Sequence, residues 1–186
     1  MKFFIIHGSY GNPNENWIPW LKNNLKKEGH EVIVPQFPLN ENQNLKNWMK
    51  IMEPYLDKID NEAIFVGHSI GPSFILSILE KIKTNIRASF FLSGFLGLLN
   101  KETFDKVNKT FTTKDFDWNK IRSNCKRFYI FHSDNDPFVP FEKAEELSKK
   151  LNTKIIVIHN GGHLNVKAGY TLFPELLDRI NEEIKK

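Results

Sequence analysis

The stretch Ala63-Ile64-Phe65-Val66-Gly67-His68-Ser69-Ile70-Gly71-Pro72-Ser73-Phe74 decides how this chain is read. An apolar run of β-formers ends at Gly67, and a helical apolar period (Phe74, Ile75, Ile78, Leu79, Ile82) begins directly after the turn. Ser69 stands at the apex between two glycines. A sharp strand-to-helix turn strains the Ser backbone and brings neighbouring chain very close, so positions 67 and 71 must lack a Cβ. Pro72 falls in the first turn of the helix, where a missing N–H costs nothing. Hydroxyl and helix N-terminus then point the same way, which suits an attacking serine and an anionic intermediate. The pentapeptide by itself is a common pattern, and its meaning comes from the rest of the chain.

Upstream, Phe3-Phe4-Ile5-Ile6 reads as a buried strand that stops at the turn-rich loop His7-Gly8-Ser9-Tyr10-Gly11-Asn12-Pro13. Asn16 is expected to cap a helix with Trp17, Trp20, Leu21 and Leu25 on its apolar face and Gly29 at its end. Val32-Ile33-Val34 is a second strand, closed by Pro35 and Pro38. A helical period over Leu45, Trp48, Met49, Met52, Tyr55, Leu56 and Ile59 follows, with a kink or a break expected at Pro54. Downstream, strands are expected at Ala88-Ser89-Phe90-Phe91-Leu92, Phe128-Tyr129-Ile130-Phe131-His132 and Ile155-Ile156-Val157-Ile158. A helix with Ala144, Leu147 and Leu151 separates the last two strands, and an amphipathic helix from Leu172 to Ile184 closes the chain.

Uninterrupted apolar strands alternating with amphipathic helices specify an α/β protein. The expected architecture is three-layer α/β/α around a six-stranded, mainly parallel sheet. No repeat, low-complexity tract or linker divides the sequence, so one domain over residues 1–186 is expected. The segment 95–124 breaks the rhythm: its apolar residues follow no single long period, although Asp117 can cap a short helix over Trp118 and Ile121. Its 95–118 part reads equally as a short cap over a pocket or as an extra helix on the sheet.

The composition is that of a globular chain, 40% hydrophobic and 26% charged. Basic residues exceed acidic ones only by 26 to 22, scattered without a basic tract, which gives no basis for a nucleic-acid partner. Nothing approaches the roughly 18 apolar residues of a membrane span, so no membrane insertion is expected. The lone Cys125 excludes an internal disulfide and suits a reducing compartment, and the expected location is cytoplasmic.

Open parallel sheets bind ligands at the carboxyl ends of their strands. Four of the six proposed strands are followed there by reactive polar residues: His7 with Ser9, Ser69, Asp136 and His163. Ser69, Asp136 and His163 stand in the chain order of the α/β-hydrolase fold. In the chemistry this implies, His163 takes the Ser69 proton and Asp136 holds the imidazole in the right tautomer. The oxyanion then needs two N–H donors, expected at Ile70 and Ser9. The expected reaction is cofactor-free acyl hydrolysis through an acyl-enzyme, on a small ester or else a thioester or amide. The apolar 95–118 segment and Phe138 are expected to give a short, greasy pocket. The alternative is a hydrolase-like fold kept as a non-catalytic binding or regulatory module; an intact Ser, Asp and His in order argue against it.

Rival assignments lie close by. Asp134 shares the loop with Asp136, but Pro137 fixes the direction of the latter. His159 ends the sixth strand directly, whereas His163 follows two glycines that let it swing over the sheet edge. His132, Asp134 and Asp136, or His159 with His163, suggest a metal only weakly, because neither set has the helix-face spacing of zinc hydrolases. No metal or cofactor is expected. His7 and His68 flank the proposed site, and Cys125 is expected to be a buried, inert thiol.

These residues carry a resemblance over essentially the whole chain. Gly67-His68-Ser69-Ile70-Gly71, Asp117-Trp118-Asn119-Lys120-Ile121 through Cys125, Ser133-Asp134-Asn135-Asp136-Pro137-Phe138-Val139-Pro140 and Gly161-Gly162-His163 resemble the small single-domain serine hydrolases related to the retinoblastoma-binding serine hydrolase and its bacterial relatives. The resemblance implies Ser69 as nucleophile, Asp136 as acid, His163 as base, and esterase- or peptidase-like activity on small substrates. The Leu-x-Cys-x-Glu motif that binds the retinoblastoma protein is missing around Ser123-Asn124-Cys125-Lys126-Arg127, so there is no basis for that partner.

Overall fold

A computed structural model describes all residues 1–186. Strands β1 (Lys2–Ile6), β2 (Glu31–Ile33), β3 (Ala63–His68), β4 (Ala88–Leu92), β5 (Phe128–Ser133) and β6 (Ile155–Ile158) form one sheet in the order β2-β1-β3-β4-β5-β6. Every neighbouring pair is parallel, so the sheet is wholly rather than mainly parallel. Parallel neighbours need crossovers, which the helices supply: α1 (Ile18–Lys27), α2 (Leu45–Leu56), α3 (Gly71–Leu79), α4 (Glu102–Thr112), α5 (Trp118–Ser123), α6 (Phe141–Leu151) and α7 (Pro174–Ile184).

Alternation along the strands divides the core in two. Phe3, Ile5, Ile64, Val66, Phe90 and Leu92 face α1 and α7. Phe4, Ile6, Phe65 and Phe91 face the other way, towards Trp48 and Met52 of α2, Phe74 and Ile78 of α3, Phe111 of α4 and Leu147 of α6. Both faces are apolar, which is why the strands read as continuous apolar runs. β3 is buried along its whole length between β1 and β4.

Two expectations are corrected. Asn16 does not cap α1: its backbone is left-handed (φ 54°), Trp17 takes the N-cap position, and the Asn16 side chain is used elsewhere. α2 runs through Pro54 as one helix and ends two residues later, so the proline sits in the last turn rather than breaking the helix. The segment 95–124 holds two helices, with Asp117 capping α5 as expected (Lys120 N–H to Asp117 Oδ1, 3.0 Å). α4 buries Val107 and Phe111 on the sheet side while Phe104 lines a pocket.

At the end of the sheet away from Ser69, Glu183 of α7 is fully buried. Its carboxylate accepts from Arg127 Nη1 (2.6 Å) and Tyr129 OH (2.7 Å). Arg87 Nη2 donates to the carbonyls of Glu183 and Ile184, closing the helix end. A buried charge in such a network is costly to lose. Glu183→Ala is expected to lower stability by about 3 kcal/mol in urea unfolding, and Glu183→Gln by clearly less, because an amide oxygen still accepts from Arg127 or Tyr129.

Candidate active site

The turn after β3 is as tight as its glycines imply. Ser69 has a left-handed backbone (φ 58°), and its N–H donates to Leu92 O of the neighbouring strand at 2.9 Å. A Cβ on Gly67 would lie 2.7 Å from Ile75 Cδ1 and 2.8 Å from the backbone of Gly71 and Pro72. One on Gly71 would lie 2.8 Å from Ile6 O. Neither backbone can give way, so both positions require glycine. Ile70 follows as the N-cap of α3 and Pro72 sits in its first turn.

The two carboxylates after β5 have separate partners. Asp136 is fully buried at its side chain, and its Oδ2 lies 2.8 Å from His163 Nδ1. Its Oδ1 accepts from the N–H groups of Phe138 (2.9 Å) and Val139 (3.0 Å). Asp134 instead meets His159 Nδ1 at 2.6 Å on the exposed side and accepts from Asn160 N–H at 2.8 Å. The pairing sorts the rivals: His163 with Asp136 inside, His159 with Asp134 outside. His132 donates from Nε2 to Val139 O, so it does not converge with the two aspartates as a ligand set.

The loop bearing His163 is held by side chains from three other segments. Gly161 N–H donates to Ser133 Oγ and Gly162 N–H to Asn135 Oδ1, both at 2.8 Å. His68 Nε2 donates to the carbonyl of His163 itself (2.9 Å), and Trp17 Nε1 to Leu164 O (3.0 Å). Val166 N–H donates to Asn16 Oδ1 at 2.8 Å, which is the use the structure makes of Asn16. The reach of these side chains to the His163 loop is not visible in the sequence, because an Asn or Ser in a loop looks the same whether or not it meets a distant backbone.

Ser9 stands in the loop after β1 as expected. The backbone N–H groups of Ser9 and Ile70 donate to no group in the protein, while the Ser9 side chain donates to Asn108 Oδ1 of α4. His7 is buried and structural: Nδ1 donates to Gly8 O, and Nε2 accepts from Phe37 N–H.

Ser69 and His163 open into one pocket of about 310 Å³. Phe95, Leu99, Phe104, Phe138 and Val139 form its apolar wall, and Glu15, Asn16, Asn165 and Lys167 form a polar side that the sequence did not reveal. A larger, shallower groove of about 890 Å³ lies elsewhere, among Lys46, Lys50, Glu53, Lys81 and Asp115, and contains none of these residues. Cys125 is buried away from the pocket, and its burial pushes the thiol pKa up to about 12.

Electrostatics favour a charged acid and neutral neighbours. Burial pushes the Asp136 carboxyl upward, but the hydrogen bond and charge of His163 and the two backbone N–H donors together hold it below the usual carboxylate value. Burial, with the nearby His163, drives His68 down to about 3. Burial also lowers His7 and His132. These histidines are depressed in the folded state, so the unfolded chain takes up more protons once the pH falls below about 6.5. Their contribution is therefore complete above that pH and is lost on acidification, for His68 down to about pH 3. Urea unfolding between pH 6 and 4.5 is expected to show stability falling by up to about 1.4 kcal/mol per pH unit from His68, whose folded value of about 3 lies below that range. His68→Gln is expected to flatten that slope.

A family model described as serine hydrolase matches residues 3–182. The putative hydrolase YdeN of Bacillus subtilis is 26% identical over 185 residues, covering 98% of this chain and 96% of its own length. Its crystal structure superposes with a TM-score of 0.92, covering 100% of this chain and 99% of that one. The serine hydrolase RBBP9 of Rattus norvegicus is 25% identical over 165 residues, covering 87% of this chain and 86% of its own length. Est1E of Butyrivibrio proteoclasticus, solved with ferulic acid bound, shares the fold at a TM-score of 0.74 and 20% identity, covering 100% of this chain and 90% of that one. With an α/β-hydrolase-like sheet and a family match over nearly its whole length, the chain belongs to the serine hydrolase family.

Proposed function

We propose that the protein is a cofactor-free acyl hydrolase in which Ser69 attacks an ester carbonyl and forms an acyl-enzyme that water releases. The observation that carries this reading is the 2.8 Å contact between His163 Nδ1 and the buried Asp136 carboxylate, in the pocket that also holds Ser69. With Nδ1–H committed to Asp136, the lone pair of His163 sits on Nε2, the nitrogen available to take the Ser69 proton. As the proton moves, Asp136 stabilises the imidazolium without being protonated itself. The unpaired N–H groups of Ile70 and Ser9 are the donors for the oxyanion. His163 then returns the proton to the departing alcohol, and the same residues activate water for the second half.

The apolar wall of a 310 Å³ pocket suits a short to medium acyl group, and the polar side suits the leaving alcohol or solvent. Thioesters and amides belong to the same chemistry. No helix is long and apolar enough to cross a membrane, and a cytoplasmic location, suited to the lone thiol, is part of the proposal.

Labelling with a fluorophosphonate probe is expected for the wild type and absent for Ser69→Ala and His163→Ala. Hydrolysis of p-nitrophenyl butyrate is expected to fall by roughly 10³-fold or more in both variants. Asp136→Asn is expected to lose activity on a similar scale, whereas Asp134→Asn is expected to stay within about threefold of wild type. Labelling that survives the loss of Ser69 would identify another nucleophile and overturn the proposal.

A further inference from the structure

Helix α4 supports the loop after β1 through a chain of side-chain contacts. Ser9 Oγ donates to Asn108 Oδ1 at 2.7 Å, and Gln43 Nε2 donates to the same oxygen at 2.8 Å. Gln43 Oε1 accepts the Tyr10 N–H at 3.1 Å, and Tyr10 OH donates to the Thr103 carbonyl at 2.9 Å. The Tyr10 ring also meets Phe104 edge-on. Asn108 and Gln43 are buried, at 1% and 3% exposure. The loop needs this support. Tyr10 holds a φ of 57°, a conformation that costs a bulky residue on the order of 1–3 kcal/mol and persists only where its surroundings impose it. At the N-terminus of α4, Lys101 Nζ donates to the carbonyls of Pro137 (2.8 Å) and Phe138 (3.2 Å), in the loop that carries Asp136. One helix therefore bridges the loops on both sides of Ser69 while Phe104 lines the pocket.

We infer that Asn108, together with Gln43, is a positioning residue whose amide oxygen gathers Ser9 Oγ and Gln43 Nε2 and so aims the Ser9 N–H at the developing oxyanion. The inference rests on the acyl-hydrolase reading above. A donor that is misdirected weakens the transition state more than the bound ester, so its loss falls on kcat and spares KM.

The test is steady-state hydrolysis of p-nitrophenyl butyrate by wild type, Asn108→Ala, Gln43→Ala and Val107→Ala, with thermal unfolding of each. Val107 is buried on the same helix and takes no part in these bonds, so its truncation reports the effect of weakening α4 alone. Asn108→Ala and Gln43→Ala are expected to lower kcat by roughly 10–100-fold with KM within about twofold. Val107→Ala is expected to lower Tm while keeping kcat within about twofold of wild type. Amide exchange at Tyr10 is expected to speed up in Gln43→Ala and not in Val107→Ala, a readout that needs no turnover. Wild-type kcat in Asn108→Ala, or an equal loss in Val107→Ala, overturns the inference. If Asn108→Ala does not fold, Gln43→Ala carries the same decision. A wild type without Ser69-dependent turnover overturns the acyl-hydrolase reading and this inference with it. An active wild type beside unaffected variants overturns the inference alone.

Discussion

The left-handed backbone of Ser69 is the constraint from which much of this structure follows. A serine at φ 58° is strained and stays there only if its neighbours leave it no alternative. They do so from three directions. Leu92 O of β4 takes its N–H, Ile6 O of β1 lies against Gly71, and Ile75 and Pro72 close over Gly67. Because β1 and β4 supply two of these contacts, β3 must lie between them, and the glycines on either side of Ser69 are fixed by the same crowding. Strand order, turn geometry and residue type at these positions are one solution to one steric problem.

Around that turn, the loops at the carboxyl ends of the strands are held by side chains more than by their own backbone bonds. Asn160, Gly162 and Leu164 all have positive φ in the loop that carries His163. Ser133, Asp134 and Asn135 hold its first half from the end of β5, and Asn16 and Trp17 at the start of α1, with His68 of β3, hold its second half. The geometry at His163 is thus set by six bonds that are each ordinary in strength. Their low individual value and their number together explain why the loop is fixed without a rigid secondary element.

How much of this was legible in the sequence depended on the range of the interaction involved. The strands, most helices and the Ser69 turn are written in local apolar periodicity and in the steric needs of glycine at 67 and 71. The Asp117 cap is local too, and it was readable. Asn16 misled because a capping residue and a residue that reaches a chain segment 150 positions away have the same local signature. Helix α4 has only three regularly spaced apolar positions, Phe104, Val107 and Phe111, and the apolar Leu98 and Leu99 before it lie outside the helix and out of phase with them. Asp134 and Asp136 differ by burial and partner, which only the folded chain displays. Pro137 and family likeness distinguish them in the sequence; the fold sets Asp136 against His163 and Asp134 against His159.

An all-parallel sheet has a further consequence for how the molecule comes into being. No two neighbouring strands are joined by a hairpin, so every ladder waits for a crossover to close, and folding is governed by contacts distant in sequence. The bonds from Asn16 and Trp17 to Val166 and Leu164 are the extreme case, linking positions about 150 residues apart. On a ribosome, the first helix is made long before its partners emerge. The strand carrying Ser69 can find β1 early, but the histidine loop takes its place only when the last sixth of the chain is present. The loop around His163 therefore takes its shape after the Ser69 turn is already packed between β1 and β4.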